Sequence, residues 1–87
     1  MNFANNTERT SFLKGEWPLV EMSPSGDVIY MGKPSVQDAA EDSQTWFVKK
    51  ITITSTDDGG TLVKTEYAQP YGRCSWSERK RLEYKIL

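Results

Sequence analysis

The chain predicts an all-β domain, a small antiparallel β-sandwich or barrel of about five strands with one short helical turn before the C-terminal strand. Three observations predict it. Short runs rich in β-branched and aromatic residues recur along the chain, parted by turns that contain Gly, Pro or Asp. No stretch keeps its apolar residues at the 3.6 spacing of a long helix. Several short strands separated by such turns are the usual pattern of small antiparallel folds.

Residues 1–14, "MNFANNTERTSFLK", are polar and aperiodic. They read as a frayed terminus or as an arm that orders on a neighbouring subunit, with Phe3 and Phe12 as anchors. Residues 15–87 read as a single β domain. "EWPLVEM" reads as a short edge strand, interrupted by Pro18, which cannot donate to a ladder. "SPSGD" is a turn: Pro24 presets φ and Gly26 admits a positive φ. "DVIYMG" is a second strand, ended by Gly32 and Pro34. "SVQDAAEDSQ" leaves two readings open. Val36, Ala39 and Ala40 suit one amphipathic helical turn, with Ser35 and Asp38 as an N-cap pattern, and the stretch also suits a polar loop.

"TWFVKKITIT" is the strongest strand in the chain. Its alternation is imperfect, because Trp46 and Val48 share one parity while Ile51 and Ile53 share the other. Either the strand is apolar on both faces, or a bulge at Lys49 and Lys50 shifts the parity; the bulge is the preferred reading. "STDDGG" is a hairpin turn. "TLVKTEYA" returns from it, with Val63, Thr65 and Tyr67 expected to face inward. "QPYGR" is a loop. The closing run works as a strand from Arg81: Leu82, Tyr84 and Ile86 point one way, Arg81, Glu83 and Lys85 the other. Residues 75–80 supply the helical turn, with Ser75 or Ser77 as its cap.

Composition bounds the function. Eighty-seven residues bury roughly 60–65% of the unfolded surface, so the core is modest. Docking onto copies of itself or onto a larger partner is a common remedy at this size. The lone cysteine, Cys74, rules out an internal disulfide framework. No apolar run approaches the roughly 18–20 residues of a membrane-spanning helix. The first residues lack a secretory pattern, so manufacture and use, or assembly, in a cytoplasm are expected.

An enzyme is not expected. Without His, and with one Cys, the familiar nucleophile–base pairs and most zinc sites are excluded. The carboxylate pairs Asp57–Asp58 and Glu41–Asp42 fall in turn-like stretches. No phosphate loop or calcium loop is spelled out, so no catalytic residue, metal site or cofactor is expected. Charge is uneven. From Arg73 onward there are five basic and two acidic residues, a net of +3, against six basic and ten acidic before it, a net of −4. Tyr71, Trp76 and Tyr84 lie among those charges and could stack on bases. The strand reading makes Tyr84 a core residue, however, and packs Trp76 beneath the helical turn. Direct nucleic-acid binding is therefore the weaker expectation. Opposite faces of successive subunits meeting in a symmetric oligomer explain the asymmetry equally well.

Four motifs are more specific than composition: "Y-M-G-K" at Tyr30 to Lys33, "W-x-V-x-K-I" through Trp46, Val48, Lys50 and Ile51, "YA" at Tyr67 and Ala68, and "W-x-x-R-x-x-L-x-Y" through Trp76, Arg79, Leu82 and Tyr84. In this order, over roughly residues 28–86, the chain resembles a group of small all-β virion proteins of tailed bacteriophages. It departs from that group at Ser77, where Asp is frequent, and in "QPYGRCS". The resemblance implies scaffold roles for Tyr30, Trp46, Val48, Ile51, Tyr67, Trp76, Leu82 and Tyr84. It implies that Arg79 lies over an aromatic face or pairs with a carboxylate. Candidate interface residues are Phe3, Phe12, Arg73, Arg79, Lys80 and Arg81. The expected function is a structural component of the virion at the tail, neck, baseplate or fibre attachment. Its partners would be itself, as a symmetric oligomer, and a larger phage protein. A capsid decoration protein, or a small phage regulator that binds a host protein or nucleic acid, is the alternative.

Overall fold

A computed structural model describes residues 17–87. It holds five strands: β1 (Leu19–Met22), β2 (Val28–Pro34), β3 (Trp46–Ser55), β4 (Thr61–Gln69) and β5 (Glu83–Lys85). A single 3-10 turn, Trp76–Glu78, precedes β5. The expected class is present: all-β, antiparallel, five strands, one helical turn before the last. The strands form one sheet in the order β1-β2-β3-β4-β5, each pairing with its sequence neighbour. Turn chemistry explains why successive strands meet. Gly26 (φ 79°) and Gly59 (φ 86°) supply the left-handed residues that the β1–β2 and β3–β4 turns need.

Of the two expected architectures, the sheet takes the curl of a barrel without its closure. Tyr30 on β2 and Tyr84 on β5 have ring centroids 6.2 Å apart. Three strand spacings would separate them by about 14 Å in a flat sheet. The sheet therefore bends around the face that carries both rings, called here the inner face. No ladder joins β1 to β5. Arg79 spans part of that gap, its Nε–H donating to Glu21 Oε1 on β1 at 2.8 Å.

The core fills one end of the inner face. Trp46, Val48, Ala68, Cys74 and Trp76 are buried, and Leu19, Tyr30, Ala39, Leu82 and Tyr84 pack against them. The segment between β2 and β3 is a loop, with no helical turn in it. It lies over the core. Trp46 Nε1–H donates to the Ala40 carbonyl at 2.8 Å, and Ser77 N–H donates to that of Glu41 at 2.9 Å. Ser75 stands at the N-cap of the 3-10 turn but does not cap it; its hydroxyl donates to the Glu41 carbonyl at 3.2 Å.

Three expectations are corrected. The bulge at Lys49 and Lys50 is absent: β3 pairs without a break on both sides, Lys49 with Met31 and Tyr67, Lys50 with Tyr30 and Glu66. β3 is thus apolar on both faces. The inward parity of β4 is that of Ala68, which is fully buried and pairs with Tyr84. Val63, Thr65 and Tyr67 face the other way. The core covers only the last residues of β4, so Lys64 and Glu66 share the inner face with Ala68 yet stand beyond the packed end. It follows that Ile51 and Tyr67, expected in the core, lie on the opposite, outer face. The arm at 1–14, with Phe3 and Phe12, lies outside the described residues.

Candidate interaction surface

The unbroken register defines the outer face row by row. Met22, Ile29, Ile51 and Thr65 line up across β1 to β4. The next row is Val20, Met31, Lys49, Tyr67 and Lys85. Lys33 and Phe47 begin a row toward one end, and Ile53 with Val63 form one toward the other. Antiparallel sheets with one wet face normally alternate apolar and polar residues. Here both parities of β3 are apolar, and only one side has a packed layer over it among the described residues. Val20 is 47% exposed, Met22 58% and Val63 58%. Exposed apolar bands of this kind mark protein or membrane contact sites, ligand grooves or aggregation-prone surfaces.

One end of the outer face is aromatic. Phe47 and Tyr71 have ring centroids 4.7 Å apart, and Tyr67 meets Tyr71 edge-on at 5.5 Å. Gly72 makes this contact possible: its φ is +84°, and a Cβ there would stand 2.8 Å from Phe47 Cε1. Trp17, buried, receives the ammonium groups of Lys33 at 5.1 Å and Lys49 at 4.5 Å. These cation–π contacts fix two cations beside the apolar band.

Lys85 ends one outer row; Arg79, Lys80 and Arg81 lie on and around the turn before β5. Arg79 is held in place rather than offered to a partner. Its guanidinium sits 4.5 Å from the Trp76 ring, its Nη1–H donates to the Trp76 carbonyl at 3.0 Å, and Tyr84 O–H donates to the Arg79 carbonyl at 2.6 Å. The hydrogen bond from Arg79 holds the Glu21 carboxyl below the ordinary range; partial desolvation opposes this, and the charges of Arg79 and Lys80 add to it. Lys80 and Arg81 are exposed and lean on Glu21 at 3.8 Å and Glu78 at 2.7 Å. Arg73 is exposed in the loop after β4. Burial pushes the Tyr84 phenol and the Cys74 thiol above their usual values. Cys74 Sγ–H donates to the Pro70 carbonyl at 3.2 Å, so this thiol is a packed core group.

The geometry separates residues that the sequence left together. Trp76 and Tyr84, two of the three candidate base-stacking rings, are packed into the core; only Tyr71, 39% exposed, remains at the surface. Tyr30, Trp46, Val48, Trp76, Leu82 and Tyr84 come together around the core. Arg73 lies in the loop after β4, next to Gly72, while Lys80 and Arg81 lie in the turn that follows the 3-10 turn. Sequence patterning does not single out the outer apolar rows as a site; their signal is the mixed parity of β3, which a bulge at Lys49 and Lys50 would also explain. Among the described residues no group of three His, Cys, Asp or Glu side chains could hold a metal ion, and no helix is long and apolar enough to cross a membrane. No family model matches the chain, and no curated protein or solved structure does so either.

Proposed function

We propose that the protein is a structural component of a tailed-phage virion, placed at the tail, neck, baseplate or fibre attachment. It works through oligomeric contacts with copies of itself and with a larger virion protein. The observation that carries this reading is the outer face: apolar rows across four strands, with Val20, Met22 and Val63 about half exposed. Covering such a face by oligomerisation or docking is a common remedy for the modest core of a chain this size. Repetition of one weak contact around a symmetric assembly makes each later contact effectively intramolecular. The motif resemblance supplies the setting.

Substituting Val20→Asp together with Met22→Asp tests the reading. Both side chains are exposed, so each change alters folding stability by only about 0.5 kcal/mol. Incorporation of the double variant into particles is expected to fall at least tenfold while its circular dichroism spectrum stays unchanged. Incorporation at the wild-type level would remove the outer face from the account.

A further inference from the structure

The edge of β4 carries a more specific contact. β4 runs nine residues, but β5 pairs only with Tyr67, Ala68 and Gln69. Among the described residues no strand pairs with the outer edge from Thr61 to Glu66. The hydrogen-bond phase of this edge follows from its turn. Thr56 N–H donates to the Gly60 carbonyl, which makes Thr56 and Gly60 a hydrogen-bonded pair. Such pairs alternate along an antiparallel ladder. Leu62, Lys64 and Glu66 therefore spend their backbone groups on β3. The N–H and C=O groups of Thr61, Val63 and Thr65 point outward. The phase is checked on the far side of β3, where Ile53 N–H donates to the Asp27 carbonyl, so the odd residues of β3 turn to β2.

The other open edges are guarded. β1 is four residues long and follows Pro18, and β5 is three residues long. Short edges and edge prolines are the usual protections against pairing. The open part of β4 has no proline and no bulge. Its two charges, Lys64 and Glu66, pair with each other at 3.9 Å on the inner face. Leu62 and Val63 are 55% and 58% exposed, one on each face.

We infer that a second copy of this chain adds to this edge, β4 against β4 antiparallel, with the two-fold axis at Val63. Register selects this arrangement. Centred on Val63, Thr61 faces Thr65 of the copy, Val63 faces Val63, and Thr65 faces Thr61. All three outward-pointing residues then exchange hydrogen bonds. Leu62 meets the aliphatic stem of Lys64, and no like charges stand opposite each other. Centred on Lys64 instead, the two Lys64 side chains would oppose each other, and Thr61 would face Tyr67, whose outer edge β5 already occupies. The product is a ten-stranded sheet whose outer apolar faces run on from one copy to the next. This names the surface for the self-association proposed above. It rests on that self-association and not on the virion as its location.

Cross-linking of the purified full-length chain tests the pairing without any virion. Directly opposed Cα atoms of a hydrogen-bonded antiparallel pair lie about 5.5 Å apart, within disulfide reach. Val63→Cys is expected to give a disulfide-linked dimer as the dominant species under mild oxidation. Thr61→Cys and Thr65→Cys are expected to cross-link only when mixed. Cys74 is buried, so wild type supplies the background. A second variant, Val63→Pro, removes an outward N–H and leaves the β3 ladder whole; it is expected to sediment as a folded monomer where wild type sediments as a dimer. Val63→Cys that cross-links no more than wild type would overturn the inference. So would Thr61→Cys or Thr65→Cys that cross-links alone as well as Val63→Cys, or a folded Val63→Pro that stays dimeric.

Discussion

The Trp76 indole rests against the backbone of Gly32 on β2, so close that a Cβ there would stand 2.4 Å from Cε3 and 2.8 Å from Cζ3. Gly32→Ala must push that ring, and with it the Arg79 guanidinium stacked 4.5 Å from it. Overpacking of this kind costs about 1–3 kcal/mol, which urea denaturation would read as a lower midpoint at unchanged slope. The Glu21–Arg79 contact gives a second outcome. The hydrogen bond from Arg79 depresses the Glu21 pKa in the folded state. Its contribution is complete above the unfolded value, about 4.3, and is lost as pH falls through the lower folded value. Melting temperatures of wild type and Glu21→Gln should therefore differ most near neutral pH and converge in acid. Parallel curves down to about pH 3 would show that the contact adds nothing. The sequence named Arg79 as a group that stacks or pairs with a carboxylate, and the structure does both at once. It gave no hint of Glu21 as the partner, because that contact spans 58 residues.

At the scale of elements, strand existence was legible and strand facing was not. β-branched and aromatic runs bounded by Pro24, Gly26, Gly32 and Gly59 located β2 to β4 to within two residues and β1 to within three. Parity failed on β3 and β4. Trp46 and Val48 face the core while Ile51 and Ile53 face outward, and a bulge was the simplest way to give such a strand one apolar side. The alternative, a strand with two apolar sides, needs a cover on its second face that the described residues do not supply. The misreading and the candidate site therefore share a cause: a pattern argument that expects one buried face per strand has no place for the outer rows. The Val20→Asp and Met22→Asp pair belongs at this scale, because it charges the β1 end of both central rows while leaving the inner core untouched.

For the whole molecule, the two faces divide the work. The inner face, folded around Trp46, Val48, Ala68 and Trp76 and latched by Arg79 to Glu21, holds the curl of the sheet. The outer face and the open β4 edge are the surfaces that the proposed self-association would use. Among the described residues no group of three His, Cys, Asp or Glu side chains could hold a metal ion; of the groups with raised pKa values, Cys74, Tyr71 and Tyr84 owe the shift chiefly to desolvation and Arg79 to its hydrogen bond with Glu21. The proposed role is that of a molecule covered within a tailed-phage virion. Mass spectrometry on purified particles, with heads and tails separated before digestion, tests it first. Peptides of this chain are expected in the tail fraction at a fixed copy number per particle. Recovery in the head fraction would contradict the tail placement and make it a decoration protein, and absence from both fractions would contradict the structural role itself.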